Sequence, residues 1–295
     1  MKKITTVLFF ALMACTAFAA KPSLVGPINA SSFELTKKAL DEGADPNEIH
    51  AQATEFCWAC ITGRTDIILL LLEKGAKVDE VGYLGLTALA GIVEFPRTPA
   101  GIVAENAKIN EKILKHFTVE KVKEKGWYIE TDSTKFSTVE VRAKILLDAG
   151  ANPNFLLGGA GVVKTGTPFL EAVKKGQLGM VKVMLDSKTV DIELRFDQYA
   201  NKDEDWLKMV TNSKTMNWDK IPTGNTPLMY AVEKQKLELV KILVEGGAQL
   251  DNIKKVNGSN GHTFAYISAL GIAIEKGNKE IAAYLLSKGA SEQKR

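Results

Sequence analysis

Cys57-Trp58-Ala59-Cys60 is the cysteine spacing in this sequence that could do redox chemistry. Two thiols three positions apart at the start of a helix can share a lowered pKa and cycle between dithiol and disulfide. The same residues also suit a blander purpose, as small sulfur side chains filling a helix contact or as a structural disulfide. Gly158-Gly159-Ala160-Gly161-Val162-Val163-Lys164-Thr165 looks like a phosphate loop until its lysine, which follows Val163 where such a loop needs glycine. That run reads as a hairpin tip leading into Thr167. His50, His116 and His262 lie far apart, and neither G-x-S-x-G nor H-E-x-x-H spacing occurs. The residues therefore predict no catalytic centre, no metal and no cofactor. Redox chemistry at Cys57 and Cys60 is the enzymatic alternative.

Composition fits an ordinary folded protein: 45% of the 295 residues are hydrophobic and 25% charged. Lys and Arg number 38 against 35 Asp and Glu. Without Lys2 and Lys3 the excess falls from three to one, so overall charge gives no electrostatic case for nucleic acid or an acidic membrane. Those two lysines precede an apolar stretch from Ile4 to Ala14 and small residues at Ala17 and Ala19. This is the layout of a signal peptide over residues 1–19, cleaved near Ala19/Ala20, and it implies a periplasmic or secreted protein. Eleven residues are too few to cross about 30 Å of hydrocarbon as a helix, so no membrane span is expected. The alternative is a lipoprotein, with Leu12-Met13-Ala14-Cys15 as a lipobox and a lipid anchor on Cys15.

The elements that must position these residues follow from an internal repeat. Leu40-Asp41-Glu42-Gly43-Ala44-Asp45-Pro46-Asn47 recurs as Leu72-Glu73-Lys74-Gly75-Ala76-Lys77-Val78-Asp79 and as Leu147-Asp148-Ala149-Gly150-Ala151-Asn152-Pro153-Asn154, with later copies at Gly247-Ala248 and Gly289-Ala290. A second phrase precedes each: Thr167-Pro168-Phe169-Leu170 and Thr226-Pro227-Leu228-Met229, with degraded copies at Thr54, Thr87 and Ser268. Thr before Pro starts a helix, the hydroxyl capping free N–H groups and Pro suiting the first position. Ala172 and Ala231 allow close approach of a neighbouring helix. Leu178, Val181, Leu185 and Leu237, Val240, Leu243 suggest the apolar stripe of a second helix. The glycines then end that helix in the left-handed conformation, and in the fourth copy Lys188 stands where the glycine should be.

Together these phrases resemble the ankyrin repeat, from about Ser32 to Ser291. The resemblance implies an all-α solenoid of about six helix-turn-helix repeats in a single domain over residues 20–295. Irregular spacing of the glycines places insertions at about 95–137, 192–222 and 252–267. Within the first, Ile109, Ile113, Leu114 and Phe117 have helical spacing, so it should contain a helix. In the family's register Cys57 takes the place of a histidine and Cys60 a small buried position.

What the resemblance further implies is a non-catalytic scaffold that binds another protein, such as an immunity protein neutralising a toxin or an accessory factor of an exported enzyme. Partners would meet the early helices at Trp58 and Tyr230 and their charged ends at Lys174, Lys175, Glu233 and Lys234. Apolar loop tips at Tyr83, Leu84, Phe155, Leu156 and Leu157, and the insertion aromatics Trp127, Tyr128 and Trp206, are the other candidates, since exposed apolar clusters and Trp or Tyr mark binding sites.

Overall fold

A computed structural model describes residues 22–50, 53–82, 85–124, 128–157, 166–195, 224–257 and 264–291. The contacts gather into two compact units, 1–151 and 152–295. The leader, Cys15 and most of the 192–222 insertion lie outside the described residues.

In the first unit, α1 (Val25–Asn29) and α2 (Phe33–Asp41) form a helix pair, with Ser32 Oγ accepting the Leu35 N–H at 3.3 Å. A short hairpin, β1 (Ile49–His50) with β2 (Ala53–Thr54), leads into α3 (Glu55–Thr62) and α4 (Thr65–Glu73). The third pair is α5 (Ala88–Glu94) and α8 (Val139–Asp148), separated by an insertion that holds α6 (Pro99–Leu114), α7 (Val119–Glu124) and a single 3-10 turn. Threonine caps recur as expected: Thr54 accepts from Cys57 N at 3.1 Å and Thr87 from Ala90 N at 3.3 Å. First helices pack on first helices, α1 on α3 and α3 on α5, while α2 packs on α4. Gly91 makes the α3–α5 approach possible: a Cβ there would lie 2.8 Å from Cys57 Sγ.

The insertion folds back on the turns between paired helices, and two buried arginines hold it. Arg142, on α8, is completely buried and donates to Cys60 O at 2.7 Å, Ile61 O at 3.3 Å and Arg97 O at 2.5 Å. Its charge thus meets the negative end of α3 rather than a carboxylate. Burial pulls its pKa down to about 10, which leaves it charged at neutral pH. Arg64 donates to Ser31 O, pairs with Asp66 at 2.5 Å and lies 3.4 Å from Glu130 of the insertion. The helix expected within residues 95–137 is present, and its buried face is not formed by the residues whose spacing indicated it. Ile102, Asn106 and Asn110 are buried, whereas Leu114 and Phe117 are exposed. Asn110 donates to Ile129 O at 2.7 Å and accepts from Ile129 N at 2.9 Å, and Asn106 donates to Glu130 O at 2.8 Å. Two asparagines thereby satisfy backbone groups that would otherwise be buried unpaired.

The second unit holds α9 (Pro168–Lys175) with α10 (Leu178–Asp186), α11 (Pro227–Glu233) with α12 (Leu237–Glu245), and α13 (Ala269–Glu275) with α14 (Lys279–Ser287). Thr167 and Thr226 cap α9 and α11, each followed by Pro at the helix start. The first helices stack in the order α9, α11, α13 and the second in the order α10, α12, α14. Leu178 is 38% exposed and Leu185 half-buried, so the expected stripe is rotated: Met180, Val181 and Met184 form the buried face, as do Leu239, Val240 and Leu243 on α12. One residue of shift is about 100° around a helix. Lys188 takes the missing glycine's conformation, at φ 60°.

The all-α expectation needs correction at residues 252–267. That segment opens a β-hairpin, β3 (Ile253–Asn257) antiparallel to β4 (Phe264–Ser268), with Ile253 opposite Ser268. Ile253, Val256, Phe264, Tyr266 and Ile267 are β-branched or aromatic residues that favour strands, a signal that a helical repeat reading passes over.

Turn residues fasten neighbouring helix pairs. Asn47 donates to Gly75 O at 3.2 Å and accepts from Lys77 N at 2.7 Å. Asn154 repeats this with Thr189 O at 2.7 Å and Asp191 N at 2.8 Å, and Asp251 accepts from Ser291 N at 2.8 Å.

Candidate binding surface

The second unit brings together the residues expected at the early helices and their ends. Lys174 Nζ donates to Glu171 Oε1 at 2.8 Å and stands 5.4 Å from the centre of the Tyr230 ring, linking α9 to α11. One turn further along α11, Glu233 Oε1 accepts from Lys254 Nζ at 3.0 Å, which links that helix to β3. Lys175 and Lys234 are exposed beside this row. Lys254 was not foreseen, because its position only acquires meaning once the hairpin forms.

The hairpin is itself held from below. Glu193 accepts from Gln249 N at 2.7 Å and from the Asn252 side chain, while Arg195 donates to Ile253 O at 2.5 Å. Burial raises the Glu193 carboxyl and lowers the Arg195 guanidinium.

The other expected residues are scattered. Trp58 is half-buried, and its indole N–H donates to His50 O at 3.2 Å, tying α3 to β1. Phe155 and Leu156 are half-buried, but Leu157 is core: it is buried and its N–H donates to Gly166 O at 2.9 Å. Tyr128 is half-buried with Lys123 5.7 Å from its ring centre. Tyr83, Leu84, Trp127 and Trp206 lie outside the described residues.

Cys57 and Cys60 are free thiols, so the possible disulfide is not formed. The Cys57 thiol donates to Thr87 O at 3.8 Å, in the next repeat. Burial pushes Cys57 up to about 12 and Cys60 well above the usual thiol value, the reverse of the lowered pKa that a redox pair needs. Beside them Glu55 begins α3 with a buried carboxyl. Burial, with Glu48 adding like charge, raises it from 4.5 to about 7. Among the described residues no group of three or more His, Cys, Asp or Glu is placed to hold a metal, and no helix is long and apolar enough to cross a membrane.

Stacked, capped helix pairs with hairpins between them define a helical repeat protein. Residues 198–295 match the family model for ankyrin repeats, in three copies. This chain is also 48% identical over 68 residues to BRCA1-associated RING domain protein 1 of Caenorhabditis elegans, covering 23% of this chain and 8% of that protein. The match therefore spans less than a tenth of the relative's length. The chain carries ankyrin repeats, and ankyrin repeats generally mediate protein–protein interaction.

Proposed function

We propose that this chain is an exported, non-catalytic scaffold of about six ankyrin repeats that binds another protein through the half-buried row of the second unit and the exposed Lys175 and Lys234 beside it. The observation that carries this reading is the line Glu171, Lys174, Tyr230, Glu233 and Lys254, which crosses two first helices and a hairpin strand. Each long side chain in it is already held by a neighbour, so less rotamer entropy remains to be lost when a partner docks. An aromatic ring flanked by held charges is also the composition of an interface hot spot.

A photo-reactive residue at Lys234, in the full chain exposed to a periplasmic extract, should capture a discrete partner. Reconstituted with that partner, Tyr230→Ala should weaken binding about tenfold or more. Undiminished affinity in both Tyr230→Ala and Lys174→Ala would remove this surface from the reading.

A further inference from the structure

The near balance of charge over the whole sequence hides a concentrated patch at the tip of the insertion. α6 has 16 residues, and its last buried one is Asn110. Past that point the helix overhangs by a turn, reverses and enters α7, which is anchored by fully buried Val122. The reversal exposes three apolar side chains, Leu114 at 36%, Phe117 at 39% and Val119 at 40%. Around them Lys112, Lys115, Lys121 and Lys123 are exposed, with Lys121 Nζ 5.8 Å from the Phe117 ring centre. From Lys108 to Lys123 there are five lysines and two glutamates, an excess of three, the same as that of all 295 residues. Of those glutamates, Glu111 lies 3.5 Å from Lys115.

We infer that this tip docks on an anionic lipid surface. Apolar side chains crowning a turn, with lysine amines around them, match an interface that accepts hydrocarbon at one depth and cations at the headgroups. The long lysine stems can lie along the apolar residues while their amines stay in water. A rigid protein partner would instead have to offer a pocket shaped to a protruding tip. The reading is independent of the row on the second unit.

The test is co-sedimentation of the full chain with phosphatidylcholine vesicles containing about one quarter phosphatidylglycerol, and with phosphatidylcholine alone. Association should require the anionic lipid and weaken at about 0.5 M salt. Phe117→Ser, and separately the triple variant Lys112→Gln/Lys115→Gln/Lys121→Gln, should each lower the partition coefficient about tenfold. Lys175→Gln/Lys234→Gln should leave it unchanged. Unaltered melting temperatures verify that the exposed substitutions leave the fold intact. Absence of binding to anionic vesicles, or binding undiminished in both tip variants, overturns the proposal. Retention on immobilised polyglutamate that depends on Phe117, without vesicle binding, overturns it in favour of an acidic protein.

Discussion

The insertion of the first unit and the hairpin of the second lengthen similar helix pairs at opposite ends, and they are secured by different means. Residues 95–137 interrupt a pair between its two helices. The chain must leave and return at one short turn, and buried cations at Arg64 and Arg142 grip the carbonyls exposed there. Residues 253–268 extend the connection between one pair and the next, where the backbone satisfies itself strand to strand and side chains only tether the base. The difference teaches that where an insertion enters a repeat decides whether the core must be rebuilt around it.

The largest test of this contrast is Arg142→Ala. It leaves the end of α3 and Arg97 O without their donor, and urea unfolding should show a loss of about 3–5 kcal/mol. Hydrogen exchange should open first in α6 and its return segment. A loss below about 1 kcal/mol would mean that the insertion holds without its buried cation. On the opposite edge of α3, Glu55 has a folded pKa raised from 4.5 to about 7. In that window the folded state binds the extra proton, so its stabilisation is complete below the unfolded value and is lost as pH rises through 7. The decline should approach about 3 kcal/mol and disappear in Glu55→Gln, measured by denaturation at several pH values. Asn110→Ala, which breaks both bonds to Ile129, should cost about 2 kcal/mol. In the hairpin, Lys254→Ala should cost at most about 1 kcal/mol, because the strands pair without it. Smallest of all, Lys188→Gly should add about 0.5 kcal/mol, since relief of the left-handed conformation slightly exceeds the backbone entropy glycine brings. A melting curve that moves down instead would show that the lysine side chain contributes more than its strain.

Capping and stopping residues were the most legible part of the sequence because their effect is local. Thr167-Pro168 and Thr226-Pro227 each start a helix through a capping hydroxyl and a fixed φ, the irregular Lys188 ends one through its own backbone, and all three behave as read. Faces were less legible. Leu178 and Leu185 satisfy helical spacing as well as Met180 and Met184 do, and only the packing against neighbouring helices selects between them. Asn106 and Asn110 were invisible for a sharper reason: a polar residue is buried when a particular carbonyl or amide awaits it, and hydropathy contains no record of that partner. The candidate surface divides similarly. Lys174, Tyr230 and Glu233 follow from repeat register, while Lys254 enters through a strand that register does not describe, and Leu157 proves to be core because it pairs with Gly166.

The fastening by Asn47, Asn154 and Asp251 carries a consequence for how such a chain can grow. Each clasp joins equivalent places in successive modules, so a duplicated module arrives with both halves of its own joint. Gain or loss of a whole module preserves every clasp, whereas a slip of a few residues within one strands a donor on one side and an acceptor on the other. Chain length in this architecture is therefore quantised by hydrogen bonds at the turns as much as by the helices they connect.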